Sequence, residues 1–287
     1  MDSHGERDLK RFALICPVCG QALQADSNAM RCTSGHSFDL SRKGAVNLLL
    51  SSGKGKRHGD DREMVRARTS FLSHGYYDPL SAAAAEMLTP LLKNEAVVVD
   101  AGCGEGKYDE DLLRFSENSG KHIRILGIDI SKEAVSALRS RTREVSGIVA
   151  STAAMPLASE CADAVLNIFS PLFAGEFARV LKKNGLLLRV IPLENHLLEL
   201  KQAVYETAYA NPTETVEIDG FDPVGRKEIS YSIKMEKAED IRDLFRMTPY
   251  YYKTGKDDQR KLESIKALDV TFSFGILLYR KTERGKA

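Results

Sequence analysis

Val97-Val98-Val99-Asp100-Ala101-Gly102-Cys103-Gly104-Glu105-Gly106-Lys107 decides the fold of this chain. Three β-branched residues end in an acid, and glycines follow at alternate positions. A second apolar run, Ile123 to Ile128, closes on Asp129. Strand, tight glycine turn, helix and a second strand ending in an acid form the crossover unit that binds nucleotide-type cofactors. Glycine lets the backbone turn sharply and lets a ligand lie against it. The second acid can accept hydrogen bonds from both ribose hydroxyls.

The spacing departs from the dinucleotide pattern Gly-x-Gly-x-x-Gly. Here it is Asp100-x-Gly102-x-Gly104-x-Gly106, which resembles motif I of the Rossmann-like methyltransferases. An acid at Asp100 would repel a pyrophosphate, and S-adenosylmethionine has none. The resemblance implies a donor site made of Asp100, Gly102, Gly104, Glu105, Gly106 and Asp129, with Ser151 and Thr152 beside the adenine. Many relatives of this fold carry an acid where this chain has Ser151. Asn167-Ile168-Phe169-Ser170-Pro171 ends the fourth strand, the edge that faces the reacting methyl in this fold. Asn167 is expected to touch donor or acceptor, and Phe169 to stack on the acceptor. No carboxylate near that strand stands out as proton acceptor.

Strands are expected near 96–100, 123–129, 147–150, 163–168 and 185–191, with helices near 107–117, 132–143 and 174–182. Such alternation predicts a parallel sheet with helices on both faces. Strands near 226–235 and 268–280 would finish the sheet, and helices are expected over 196–209 and 239–247. Between Asp60 and Leu92 the chain reads as helical. Asp60 or Asp61 would cap the first helix, Gly75 stop it, and Asp78-Pro79 open the next.

Cys16-Pro17-Val18-Cys19, then Cys32 and His36, fall in the spacing range of structural zinc. Four protein ligands leave no open position. A redox pair would want a strand-helix-strand context, which Cys16 lacks. So short a segment has little core of its own, and metal binding would fold it. Val46 to Leu50 reads as the seam joining it to its neighbour. Ser51 to Gly59 is a basic glycine loop, fit for a solvated linker or for phosphate contact. Tyr250-Tyr251-Tyr252, with Lys253 and Lys256, could stack bases or bury alternate rings.

The 287 residues carry 41 basic and 40 acidic side chains, so nucleic acid must be met by a local patch. No secretory signal or run of 18 apolar residues is present, which predicts a cytoplasmic protein without a membrane partner. The division expected is 1–50, a zinc-binding RNA-recognition module; 51–92, basic linker and helices; and 93–287, a Rossmann-like domain with insertions near 193–225 and 236–265.

Together these pieces resemble the bacterial 23S rRNA (guanine-N1)-methyltransferases of the RlmA type. The zinc spacing joins Gly59-Asp60-x-x-Glu63-Met64, Ala67-Arg68-x-x-Phe71-Leu72, Gly75-x-Tyr77-x-Pro79-Leu80, His196-Leu197-x-Glu199-Leu200-Lys201 and Met247-Thr248-Pro249. The resemblance implies an α/β class I S-adenosylmethionine-dependent enzyme acting on N1 of a guanine in the hairpin 35 loop. It also implies a homodimer, with one branch of the family linked to macrolide resistance. Two rival readings are a small-molecule methyltransferase, active without RNA, and a non-catalytic RNA-binding factor. The intact turn from Asp100 to Gly106 argues against the second.

Overall fold

The strand Ala96–Ala101 (β5) is buried along its whole length. Its alternate residues pack to opposite sides, Ala96 and Val98 into one apolar cluster, Val97, Val99 and Ala101 into another. Both faces of a central strand must therefore be covered, which explains its unbroken apolar run. The computed structural model describes residues 9–50, 59–208, 210–212 and 216–282. The basic loop lies outside the described residues except for Gly59, as do Met1 to Asp8 and the last five residues.

Gln24–Asp26 (β1), Ala29–Arg31 (β2) and Ser37–Asp39 (β3) form a small antiparallel sheet. The large sheet adds Val46–Asn47 (β4), Ile123–Asp129 (β6), Ser146–Val149 (β7), Ala162–Ile168 (β8), Leu181–Pro192 (β9), Phe221–Met235 (β10) and Leu268–Lys281 (β11). Its order is β10-β11-β9-β8-β5-β6-β7-β4. The sheet is parallel from β9 to β4, but β11 runs antiparallel to both β9 and β10, so the expected parallel sheet is a mixed one. β4 extends the seam expected at Val46–Leu50 into a ladder: residues beyond the four metal ligands become the sheet's eighth strand.

The helices are Arg62–Ser73 (α1), Asp78–Leu88 (α2), Lys107–Asn118 (α3), Lys132–Arg141 (α4), Ala174–Val180 (α5), Leu198–Val204 (α6), Ala238–Arg246 (α7) and Lys256–Arg260 (α8). Asp61 caps α1, accepting from the Glu63 and Met64 N–H groups at 2.9 and 3.0 Å. Apolar residues of α1–α4, α6 and α7 cover one face. The other face is covered by α5 and by Leu9, Leu14, Leu23, Met30 and Leu40 of the metal module. Helices on both faces were expected; the module stands in for much of the second layer.

The helix expected over 196–209 is only α6. Strand β11 captures the residues before it. Leu197 N–H donates to Thr271 O at 2.9 Å, and Ser273 N–H donates to His196 Nδ1 at 3.3 Å. Leu197 turns left-handed (φ +58°), and the helix starts beyond it. Among the described residues no helix is long and apolar enough to cross a membrane.

Candidate functional site

Strand order reverses between β5 and β8, so a crevice opens beyond their carboxyl ends. A cavity of about 670 Å³ lies there. The glycine turn forms its floor. Gly102 N–H and Cys103 N–H donate to Ile128 O at 2.8 and 3.1 Å, tying the turn to β6. Gly102 sits at φ +104°, and a Cβ there would lie 2.5 Å from the Ser170 side chain. Gly102→Ala therefore combines a left-handed backbone with a clash that opens the turn. It is expected to cost about 1–3 kcal/mol of stability and to weaken donor binding. Thermal melts and calorimetry check both.

Asp129 closes the cradle from the side. Its Oδ2 accepts Gly104 N–H at 3.0 Å and its Oδ1 accepts Ser131 N–H at 2.8 Å. Burial raises its pKa against the lowering effect of those two bonds. Two of the carboxylate's four lone-pair sites remain for a ligand's hydroxyls. Gly102, Gly104, Glu105, Ser151, Thr152 and Phe169 line the cavity with it, as expected from the sequence.

Three expected site residues do not line it. Asp100 is 1% exposed behind the turn. Burial pushes its carboxyl, and that of neighbouring Asp109, upward, Asp109 to about 7. Asp100 and Asp109 face each other, and a proton held between the two carboxyls serves oxygens that meet no other donor among the described residues. Gly106 is needed for packing, since a Cβ there would meet Leu138 at 2.9 Å. Asn167 is fully buried and braces the strand end: its Nδ2 donates to Ser170 Oγ, Ser170 O and Pro171 O at 2.6, 3.1 and 3.2 Å. That brace presents Phe169, at φ +52° and 43% exposed, to the cavity.

Arg68, Tyr77 and His196 also line the cavity but were not among the expected site residues; Tyr250, from the expected stacking cluster, lines it too. Arg68 carries a legible signal. It falls between Met64 and Leu72 on the buried stripe of α1, where an arginine needs a partner. It forms an ion pair with Asp60, its Nη2 donates to Met247 O at 3.1 Å, and its guanidinium overhangs Gly104. The tyrosine cluster divides. Tyr250 donates to Asn211 Oδ1 at 3.0 Å, under the Lys201 ammonium; Tyr251 packs edge-on against Phe245; Tyr252 is 54% exposed and donates to Asp61. Cys103 and Cys161 have no disulfide partner, and burial raises both thiols.

Cys16, Cys19, Cys32 and His36 converge with ligand atoms within 4.8 Å of one another. Cys16 Sγ and Cys32 Sγ lie 3.6 and 3.3 Å from His36 Nδ1, and Cys19 Sγ lies 3.6 Å from Cys32 Sγ. A tetrahedron with zinc–sulfur bonds near 2.3 Å has edges of about 3.8 Å, so the donor set fits that ion. The Gln21 N–H, helped by His36, holds the Cys19 thiol down at about 6, largely the thiolate a metal requires.

Residues 14–55 match the family described as "RlmA, N-terminal", and residues 99–189 match "Methyltransferase domain". The second match spans the glycine turn, Asp129 and Phe169, and makes S-adenosylmethionine the cofactor of this domain. The first spans all four ligands and makes the metal zinc. A Bacillus subtilis protein named "Putative 23S rRNA (guanine-N(1)-)-methyltransferase YxjB" is 33% identical over 93% of this chain and 96% of its own length. One from Micromonospora griseorubida, named "Putative 23S rRNA (guanine-N(1)-)-methyltransferase", is 32% identical over the same shares. The "23S rRNA (guanine(748)-N(1))-methyltransferase" of Streptomyces fradiae is 35% identical over 67% of each chain. Likeness of that depth along nearly the whole chain, with both halves of the site in place, settles membership: this protein belongs to the 23S rRNA (guanine-N1)-methyltransferases.

Proposed function

We propose that the protein methylates N1 of a guanine in the hairpin 35 loop of 23S rRNA, using S-adenosylmethionine. The observation that carries this is one cavity with two unlike walls. The glycine cradle and Asp129 form one, and aromatic side chains around Phe169 form the other. Bound donor supplies an electrophilic methyl on sulfonium sulfur. Asp129 would hold the ribose hydroxyls, and Ser151 and Thr152 would border the adenine. Arg68 would pair with the donor's carboxylate above Gly104. Phe169 offers an exposed ring face for a flipped base. A loop base is already partly unstacked, so extruding it costs a few kcal/mol at most. Holding both reactants in line can supply roughly 7–11 kcal/mol of the barrier.

The zinc module would present the RNA by shape and phosphate contacts. The lack of a signal or long apolar run supports action in the cytoplasm, and the resemblance implies a homodimer, which sedimentation would check. Primer extension on rRNA from cells with and without the gene tests the whole reading. A stop at one hairpin 35 guanine is expected only with the gene. A stop elsewhere, or none, would reject the target.

A further inference from the structure

Guanine N1 carries a proton in the neutral base, so its lone pair becomes free only when that proton leaves. The negative charge left behind spreads from N1 to O6. A preorganised donor at O6 would stabilise it in the transition state more than in the ground state.

Of the three tyrosines that line the cavity, Tyr77, Tyr108 and Tyr250, Tyr250 gives its proton to Asn211, and Tyr77 has its hydroxyl met by a ring nitrogen that orients it. Tyr77 is 3% exposed and lines the cavity. Its ring is fixed edge-on by Phe71, Phe272, Phe274 and Phe169, with centroids 5.1–6.2 Å away. Among the described residues its hydroxyl meets only His196 Nε2, at 3.5 Å. The other ring nitrogen, Nδ1, accepts Ser273 N–H. Nδ1 is therefore the unprotonated nitrogen. Burial, reinforced by the Lys201 charge, pushes the imidazole down to about 3, so His196 is neutral at physiological pH. Its one proton then sits on Nε2 and points at the Tyr77 oxygen. A hydroxyl that accepts there keeps its own proton for another acceptor. Burial also holds the phenol well above its usual pKa, so it stays protonated. Tyr231, Arg68 and Tyr250 are the other titratable groups acting on it.

We infer that the Tyr77 hydroxyl donates a hydrogen bond to O6 of the acceptor guanine, with His196 as the positioning residue that orients it. The inference rests on the reading of the enzyme as a guanine-N1 methyltransferase. The N1 proton passes to water at the cavity mouth. The N1 lone pair forms the bond to the methyl carbon, and the carbon–sulfur bond breaks with its electron pair left on sulfur. The products are 1-methylguanine, S-adenosylhomocysteine and one released proton; the Tyr77 proton stays on its oxygen. The same hydroxyl discriminates between purines. Adenine presents an amino donor where guanine has O6, so donor would face donor.

Tyr77→Phe removes one oxygen and keeps the ring. On an rRNA fragment carrying the loop, kcat is expected to fall on the order of 100-fold, the scale for losing one preorganised donor. Donor affinity by calorimetry should not change. The rate of the variant should keep climbing with pH after the wild type has levelled off, because N1 must ionise unaided. His196→Phe, checked by circular dichroism for folding, should show a smaller loss with the same displaced profile. Retention of wild-type kcat and pH profile by Tyr77→Phe would overturn the inference. So would a loss of donor affinity in place of kcat, which would assign Tyr77 to the donor side. If the wild type itself leaves guanine unmethylated, the functional reading falls, and this inference with it.

Discussion

Asp129→Ala should raise the dissociation constant of S-adenosylmethionine by more than about 100-fold, at constant zinc content. Hydrogen bonds to a charged group contribute about 1.5–3 kcal/mol each, and two ribose hydroxyls would lose theirs together. At about 1.4 kcal/mol per factor of ten, even the lower figure gives two decades. The carboxylate does more than touch the ligand. It fixes Gly104 N–H and Ser131 N–H, so alanine also loosens the turn from β6. Its raised pKa adds a pH signature. The hydroxyls need the charged form. Donor affinity should therefore be flat at high pH and decline, on acidification, from above the ordinary carboxylate range. In the donor-free fold the sign is opposite. A carboxyl whose folded pKa is raised binds its proton more tightly than the unfolded chain does, so this group alone favours folding as pH falls. Calorimetry across a pH series reads the affinity change. Unchanged affinity in the alanine variant would remove Asp129 from the donor site.

The glycine turn and Asp129 were legible as a unit because their geometry is local. A glycine at φ +104° pressed against Ser170, and an acid at the end of the next strand, leave their mark in short stretches of sequence. Within those stretches the residue types were clearer than their directions. Asp100, Gly106 and Asn167 all belong to the turn's construction, yet none lines the cavity. Asp100 and Asn167 still lie inside β5 and β8, buried in the sheet, whereas Gly102, Gly104, Glu105 and Phe169 line the cavity from the turns just beyond those strands. Of the aromatic wall, the sequence pointed to Phe169 and to the Tyr250–Tyr252 run; the rest is assembled from distant segments. Tyr77 precedes α2, His196 follows β9, and Tyr250 follows α7. Tyr77 reads alone as an aromatic ahead of a helix, and His196 as the first residue of the helix expected over 196–209. Only the long antiparallel β11, which draws His196 in through Ser273, brings them together. The metal module was read correctly in its ligands and too narrowly in its role. Its apolar residues join the cluster containing Val97, Val99, Leu126 and Ile128, so it serves as a layer of the main domain.

That shared core shapes what Cys16→Ala should do. Cys16 is 1% exposed and is one of four ligands, so its loss should release zinc. Metal binding is worth about 10–16 kcal/mol in zinc-finger peptides, far more than so small a sheet can replace. Here, however, the module is also held to the large domain by backbone bonds. Ile15 N–H donates to Pro156 O and Ala158 N–H to Ala13 O, both at 2.9 Å. The expected result is a loosened module on a folded domain, with a lowered melting temperature because one sheet face loses its cover. None of the residues lining the donor cavity comes from residues 9–50. Donor affinity should therefore survive while RNA affinity falls, and chelation of the wild type should reproduce that split. Metal analysis, calorimetry with S-adenosylmethionine and a gel-shift titration with the rRNA hairpin read the three quantities separately. Equal loss of both affinities would mean that the module supports the whole fold and has no distinct part in holding RNA. Native protein free of zinc would refute the metal assignment itself.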